Sequence, residues 1–120
     1  MKNKIIYSKT ALQDLDDIDT YITQELQSPQ AAYNTIKAIF KTIDILESFA
    51  ESGKKLIFSH NLDSGYRYLS IKNYTVFYRT DKNKIYIDRI LYAKRDFPNI
   101  FKAWKKQYRF SRTWDFISSL

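Results

Sequence analysis

The sequence has no cysteine, one histidine, two glycines and two prolines in 120 residues. Without cysteine there is no disulfide framework and no thiolate metal site. The single histidine, His60, excludes His-rich metal sites and leaves little room for a histidine-based triad. It lies in the polar stretch SHNLDSG and reads as a solvent-facing loop residue. No apolar run approaches the roughly 18 residues of a membrane span. The opening residues, MKNKIIYSKTALQDL, turn polar within seven positions, so they do not read as a secretory signal. The expectation is a cytoplasmic protein with no metal and no cofactor.

What is present is sorted along the chain. Residues 1–53 carry 5 basic and 8 acidic side chains, whereas residues 54–120 carry 15 and 5, for a net charge of +7. A basic half of this kind concentrates anionic partners, nucleic acid or an acidic protein, and speeds encounter with them. The tyrosines divide in the same way: Tyr66, Tyr68, Tyr74, Tyr78, Tyr86, Tyr92 and Tyr108 all fall in the basic half. Tyrosine packs in strands and also stacks on bases. The length suits one domain, and an apolar fraction of 44% is enough for one core.

Lys4–Tyr7 reads as a short strand, and Ser8 then offers an oxygen to cap a helix. Residues 9–26 place Leu12, Leu15, Ile18, Ile22 and Leu26 at the three- and four-residue spacing of one helix face. Asp14, Asp16, Asp17 and Asp19 are assigned to the opposite, solvated surface and not to a metal cluster. Ser28-Pro29 restarts the chain as a second helix. That helix buries Ala32, Ile36, Ile39, Phe40, Ile43 and Leu46, and ends near Gly53. The short link between the helices predicts an antiparallel hairpin.

Three alternating runs follow. Tyr66–Ile71 puts Arg67, Leu69 and Ile71 on one face; Tyr74–Thr80 is the next strand; Ile85–Tyr92 puts Ile85, Ile87, Arg89 and Leu91 on one face. Lys72-Asn73 makes a tight turn, with its asparagine tolerant of positive φ, and Asp81-Lys82-Asn83 turns the chain again. Lys55–Phe58 is a candidate edge strand, and Pro98 opens a candidate last helix with Ile100, Phe101 and Trp104 on its apolar side. The fold class is therefore α+β, in the order β-α-α-β-β-β with a C-terminal helix. The later strands form a meander, with the first strand joining at its edge or in its middle.

The run RYLSIKNYTVFYR (67–79), followed by IYIDRILYAKRD (85–96), resembles the RelE/ParE superfamily of toxins from bacterial type II toxin–antitoxin pairs of the plasmid-stabilisation type. The likeness covers about residues 4 to 101. It implies a toxin domain over residues 1–101 with residues 102–120 as a helical extension or tail. It also implies growth inhibition, neutralised by a cognate antitoxin. The family contains two target classes. RelE-like members cut messenger RNA in the ribosome, and ParE-like members inhibit DNA gyrase without being enzymes. The first reading of this chain is an mRNA interferase whose basic sheet face engages RNA. The alternatives are a gyrase inhibitor or a non-toxic antitoxin-binding relic.

RNA cleavage needs a base for the 2′-hydroxyl and cations for the phosphate. The resemblance places Arg95 on the last-strand arginine of the nucleases, Lys94 beside it, and Arg67 on the strand before the hairpin. These three form the candidate catalytic set. Leu69 stands where a second basic residue is expected, Thr75 where an arginine is, and Phe101 where a late tyrosine is. The candidate target-contact set is Arg79, Arg89, Lys72 and Tyr92. Arg89 also reads as a structural arginine paired to an acid such as Asp88 or Asp96. The toxin mechanism requires that the strands gather these cations into one patch.

Overall fold

A computed structural model of the chain describes residues 2–58 and 62–92. Its elements are β1 (Lys4–Tyr7), α1 (Lys9–Thr20), a π-helical turn (Tyr21–Glu25), α2 (Pro29–Asp44), a 3-10 turn (Ile45–Glu47), β2 (Lys54–Phe58), β3 (Leu62–Ile71), β4 (Tyr74–Asp81) and β5 (Lys84–Tyr92). The expected last helix, with Pro98, Phe101 and the tail, lies outside the described residues, as does His60.

The strands form one sheet in the order β1-β5-β4-β3-β2. β2 to β5 are an antiparallel meander, and β1 joins parallel to β5 at the edge. The α+β reading and the element order are as expected, and the first strand takes the edge position. β1 is only four residues long, so it pairs β5 from Lys84 to Ile87 and no further.

Both helix starts follow the sequence. The Ser8 hydroxyl accepts from the Ala11 amide at 2.9 Å, and Ser28 accepts from the Ala31 amide at 3.2 Å with Pro29 at the first helical position. Each cap of this type is worth about 1 kcal/mol. The helices lay Ala11, Leu15, Ile18, Ala32, Ile39 and Ile43 onto Ile71, Val76, Tyr78, Ile85, Ile87 and Ile90 of the sheet. Ile39, Ile43 and Leu46 are fully enclosed. Each contributes about 1.5–3 kcal/mol relative to an exposed position.

Three expectations change here. Leu12 and Leu26 are 52% and 57% exposed, while Ala11 and Asp14 take the inward positions of α1. The helix is rotated so that its smallest residue meets β5, and Asp14 comes with it. Phe40 is also 38% exposed, lying edge-on to Tyr7 instead of in the core. In the first hairpin turn Lys72 carries the positive φ, at 56°, and not Asn73, and Lys82 does the same in the second turn at 58°.

The face assignment of β5 changes as well. The β4–β5 register runs Val76↔Ile90, Phe77↔Arg89, then Tyr78↔Ile87. Asp88 is therefore an extra residue in β5, a bulge that reverses the alternation. Ile85, Ile87 and Ile90 share the helix-side core, whereas Leu91 packs against a second cluster of Leu56, Tyr66 and Phe77. Phe77 lies between Val76 and Tyr78 on β4, so this second cluster is on the other face of the sheet.

Candidate functional site

Arg67 sits opposite Tyr78 in the β3–β4 register and so faces the helices. Its guanidinium donates to the Gly53 carbonyl at 2.8 Å and the Glu51 carbonyl at 3.4 Å. The Tyr78 hydroxyl serves the same loop, accepting from the Gly53 amide and donating to the Ala50 carbonyl, both at 2.9 Å. Arg67 and Tyr78 together tie down the connection from the 3-10 turn into β2.

Arg79 follows Tyr78 on β4 and projects to the opposite face. Its guanidinium carbon lies 4.4 Å from the centre of the Tyr86 ring, a cation–π contact.

Arg89 is held by α1. Its Nε and Nη2 donate to the two carboxylate oxygens of Asp14 at 2.8 and 2.9 Å. The same carboxylate accepts from the Ile90 amide at 2.9 Å. Beside it, the Ser8 hydroxyl donates to the Asp88 carbonyl at 2.9 Å. These contacts explain one another. β1 stops at Tyr7, and the β5 edge beyond it must be satisfied by something else. The cap of α1 supplies a hydroxyl and its middle a carboxylate in place of a fifth strand residue. The acid holding Arg89 is thus Asp14, 75 positions away in sequence.

Lys72 and Tyr92 share the far end of the sheet. Tyr92 is opposite Tyr74 in the register, with ring centres 5.6 Å apart at 79°. Lys72 occupies the turn immediately before Tyr74 and is exposed.

The strands therefore do not gather Arg67, Arg79 and Arg89 into one patch. Alternation separates Arg67 from Arg79, whereas Arg89, opposite Phe77, lies on Arg79's face of the sheet and is engaged by Asp14. Lys94 and Arg95 lie outside the described residues. Leu69 packs against the helix-side core, and Thr75 is buried. Asp16, Asp17 and Asp19 are exposed, whereas Asp14 is not. Among the described residues no three His, Cys, Asp or Glu side chains are grouped to hold a metal ion. No described helix is long and apolar enough to cross a membrane.

Several phenols are shifted. Burial, then the Asp44 charge, pushes Tyr7 well above its usual value. Burial, then the charge and hydrogen bond of Asp88, does the same to Tyr66, with Arg79 pulling the other way. A tyrosine whose folded pKa is raised stabilises the fold fully below the unfolded value near 10, and that stability is lost as pH climbs toward the folded value. Thermal melting should accordingly fall steeply above about pH 10. Tyr7→Phe and Tyr66→Phe should each flatten that decline; an unchanged slope in both would refute the assignment.

The fold and this set of side chains can be compared with known proteins. The family model described as "ParE toxin of type II toxin-antitoxin system, parDE" matches residues 5–97. The chain belongs to the ParE toxin family. No curated protein matches it in sequence. Among solved structures, it is similar to the chromosomal ParDE toxin–antitoxin system of P. aeruginosa. The TM-score is 0.65 and the identity 21%, over 77% of this chain and 97% of that one. It is also similar to the RelBE2 toxin–antitoxin complex of Mycobacterium tuberculosis, with a TM-score of 0.52 and 16% identity over 79% and 95% of the two chains. At these identities the structures speak for a shared fold, and the ParE family match speaks for a toxin of a type II pair.

Proposed function

We propose that this ParE-family chain arrests growth by binding DNA gyrase, not by cutting RNA, and that a cognate antitoxin restrains it. One observation carries the choice between targets. At the described positions where an RNA-cutting relative would present cations, this chain has an arginine engaged with loop carbonyls, a core leucine and a buried threonine. Arg67, Leu69 and Thr75 offer no free charge to a scissile phosphate. The match to the ParE model over residues 5–97 supports the same side.

The antitoxin has a natural seat. Leu12, Tyr33, Ile36 and Phe40 line an open groove between α1 and α2, with Asp16 and Asp19 at its rim. Apolar side chains of a segment that folds on binding would fill it. Leu12→Asp should abolish co-purification with the antitoxin while leaving the fold intact, because Leu12 is exposed.

The target is tested by induction without antitoxin. Growth arrest, inhibited supercoiling by purified gyrase and intact messenger RNA in primer extension are expected. Codon-phased RNA cuts that vanish in Arg95→Ala would overturn the proposal in favour of the interferase.

A further inference from the structure

β4 is buried on both of its faces. Tyr74, Val76 and Tyr78 join the helix-side core, and Thr75 and Phe77, which alternate with them, are 1% and 0% exposed on the other side. Their neighbours on that second face are enclosed too: Leu56 on β2, Tyr66 on β3, Tyr86 and Asp88 on β5. An antiparallel sheet with one wet face alternates buried and exposed residues along each strand. The middle of this sheet does not, so a second layer lies over it.

The described residues do not supply that layer. Both helices, the π-helical turn and the 3-10 turn all contribute their buried side chains to the first face. Among the described residues no other element remains. The rest of the chain is residue 1, residues 59–61 between β2 and β3, and residues 93–120 directly after β5. Three residues in a connection cannot cover four strands.

The segment after β5 has the chemistry and the reach. Phe97, Ile100, Phe101 and Trp104 recur at the three- and four-residue spacing of one helix stripe, and Pro98 suits a first helical turn. From β5 to β2 is three strand spacings, about 14 Å. About ten helical residues span about 15 Å. The ParE model ends at residue 97, so nearly all of this stripe lies beyond the family match.

We infer that residues 97–104 dock across the second face of their own sheet, over Leu56, Tyr66, Phe77 and Leu91. Arg79, Tyr86 and Asp88 then lie beneath the segment, closed to nucleic acid and to protein partners alike. The groove between α1 and α2 is left as the open apolar surface.

Both tryptophans of the chain, Trp104 and Trp114, belong to this segment, so indole fluorescence reports on it alone. In the full chain carrying Trp114→Phe, Trp104 should emit at shorter wavelength and resist acrylamide quenching, compared with the same protein in urea. Leu91→Asp and the milder Tyr68→Ala alter second-face residues that are only partly buried. Each should shift the emission to longer wavelength and raise quenching toward the urea value while far-ultraviolet circular dichroism stays native. Leu12→Asp, in the groove, should change neither. Sedimentation should show the protection persisting in a monomer on dilution. Quenching of Trp104 as strong as in urea, or protection unmoved by both second-face variants, would overturn the inference. Protection lost in Leu12→Asp would place the segment in the groove instead, and protection lost on dilution together with a dimer would make the cover a second copy. The experiment involves neither gyrase nor antitoxin, so its outcome is independent of the proposed target.

Discussion

Replacing Asp14 by alanine should lower the unfolding free energy by about 4 kcal/mol, the usual cost of stripping one partner from a buried ion pair. The substitution removes three acceptor contacts at once: two from Arg89 and one from the Ile90 amide. The guanidinium is left with its side chain only 14% exposed, where water cannot replace the carboxylate. The backbone amide is also orphaned on the β5 edge, which β1 is too short to cover. Asp14→Asn keeps an acceptor for Ile90 and loses the charge, so it should cost about half as much. Replacing both partners by apolar residues, as in Asp14→Leu with Arg89→Met, should recover much of the loss, because no unpaired charge remains. Urea unfolding followed by circular dichroism measures all three. A loss below about 1 kcal/mol for Asp14→Ala would mean that the carboxylate does not hold the strand edge.

Gly53→Ala should cost about 3 kcal/mol, at the upper end for overpacking. A methyl group there would collide with the Tyr78 hydroxyl, and would lie 2.7 Å from the Tyr78 Cε1 and 2.9 Å from the Tyr68 carbonyl oxygen. None of these can retreat cheaply. Tyr78 is fully buried and its hydroxyl is bonded on both sides, to the Gly53 amide and the Ala50 carbonyl. Tyr78→Phe by itself should cost about 1–3 kcal/mol by leaving those groups unpaired. In the double variant the worst collision is gone, so the combined loss should be smaller than the sum of the two. Additive losses in that double-mutant cycle would show that the glycine is needed for some reason other than the phenol.

Both substitutions act on positions that the sequence displays without explaining. Gly53 is one of two glycines and reads naturally as the stop of α2, yet α2 ends at Asp44 and a 3-10 turn follows. Its requirement comes from Tyr78, 25 residues later. Asp14 belongs by spacing to the face of Ala11, Leu15 and Ile18, but its charge assigns it to solvent when only the chain is read. Nothing local announces that a strand-edge amide 76 residues away lacks an acceptor.

The candidate site follows the same division. Arg67, Arg79 and Arg89 each stand out as cations in alternating runs, and alternation correctly puts Arg67 with Leu69 and Ile71. What they touch depends on a loop carbonyl, a ring on the neighbouring strand and a helix carboxylate. Lys72 was legible as a turn residue and Tyr92 as the end of the last strand.

By itself, the sequence determined the order of strands and helices, the two serine caps, the meander and the RelE/ParE likeness, because caps, turns and hydrophobic periods are interactions between near neighbours. Tertiary structure decided the edge place of β1, the bulge at Asp88, the engagement of Arg67 and Arg89, and the packing of Tyr74 against Tyr92. Each of these depends on which groups are left unsatisfied when distant segments come together, and that deficit does not exist until the sheet has formed.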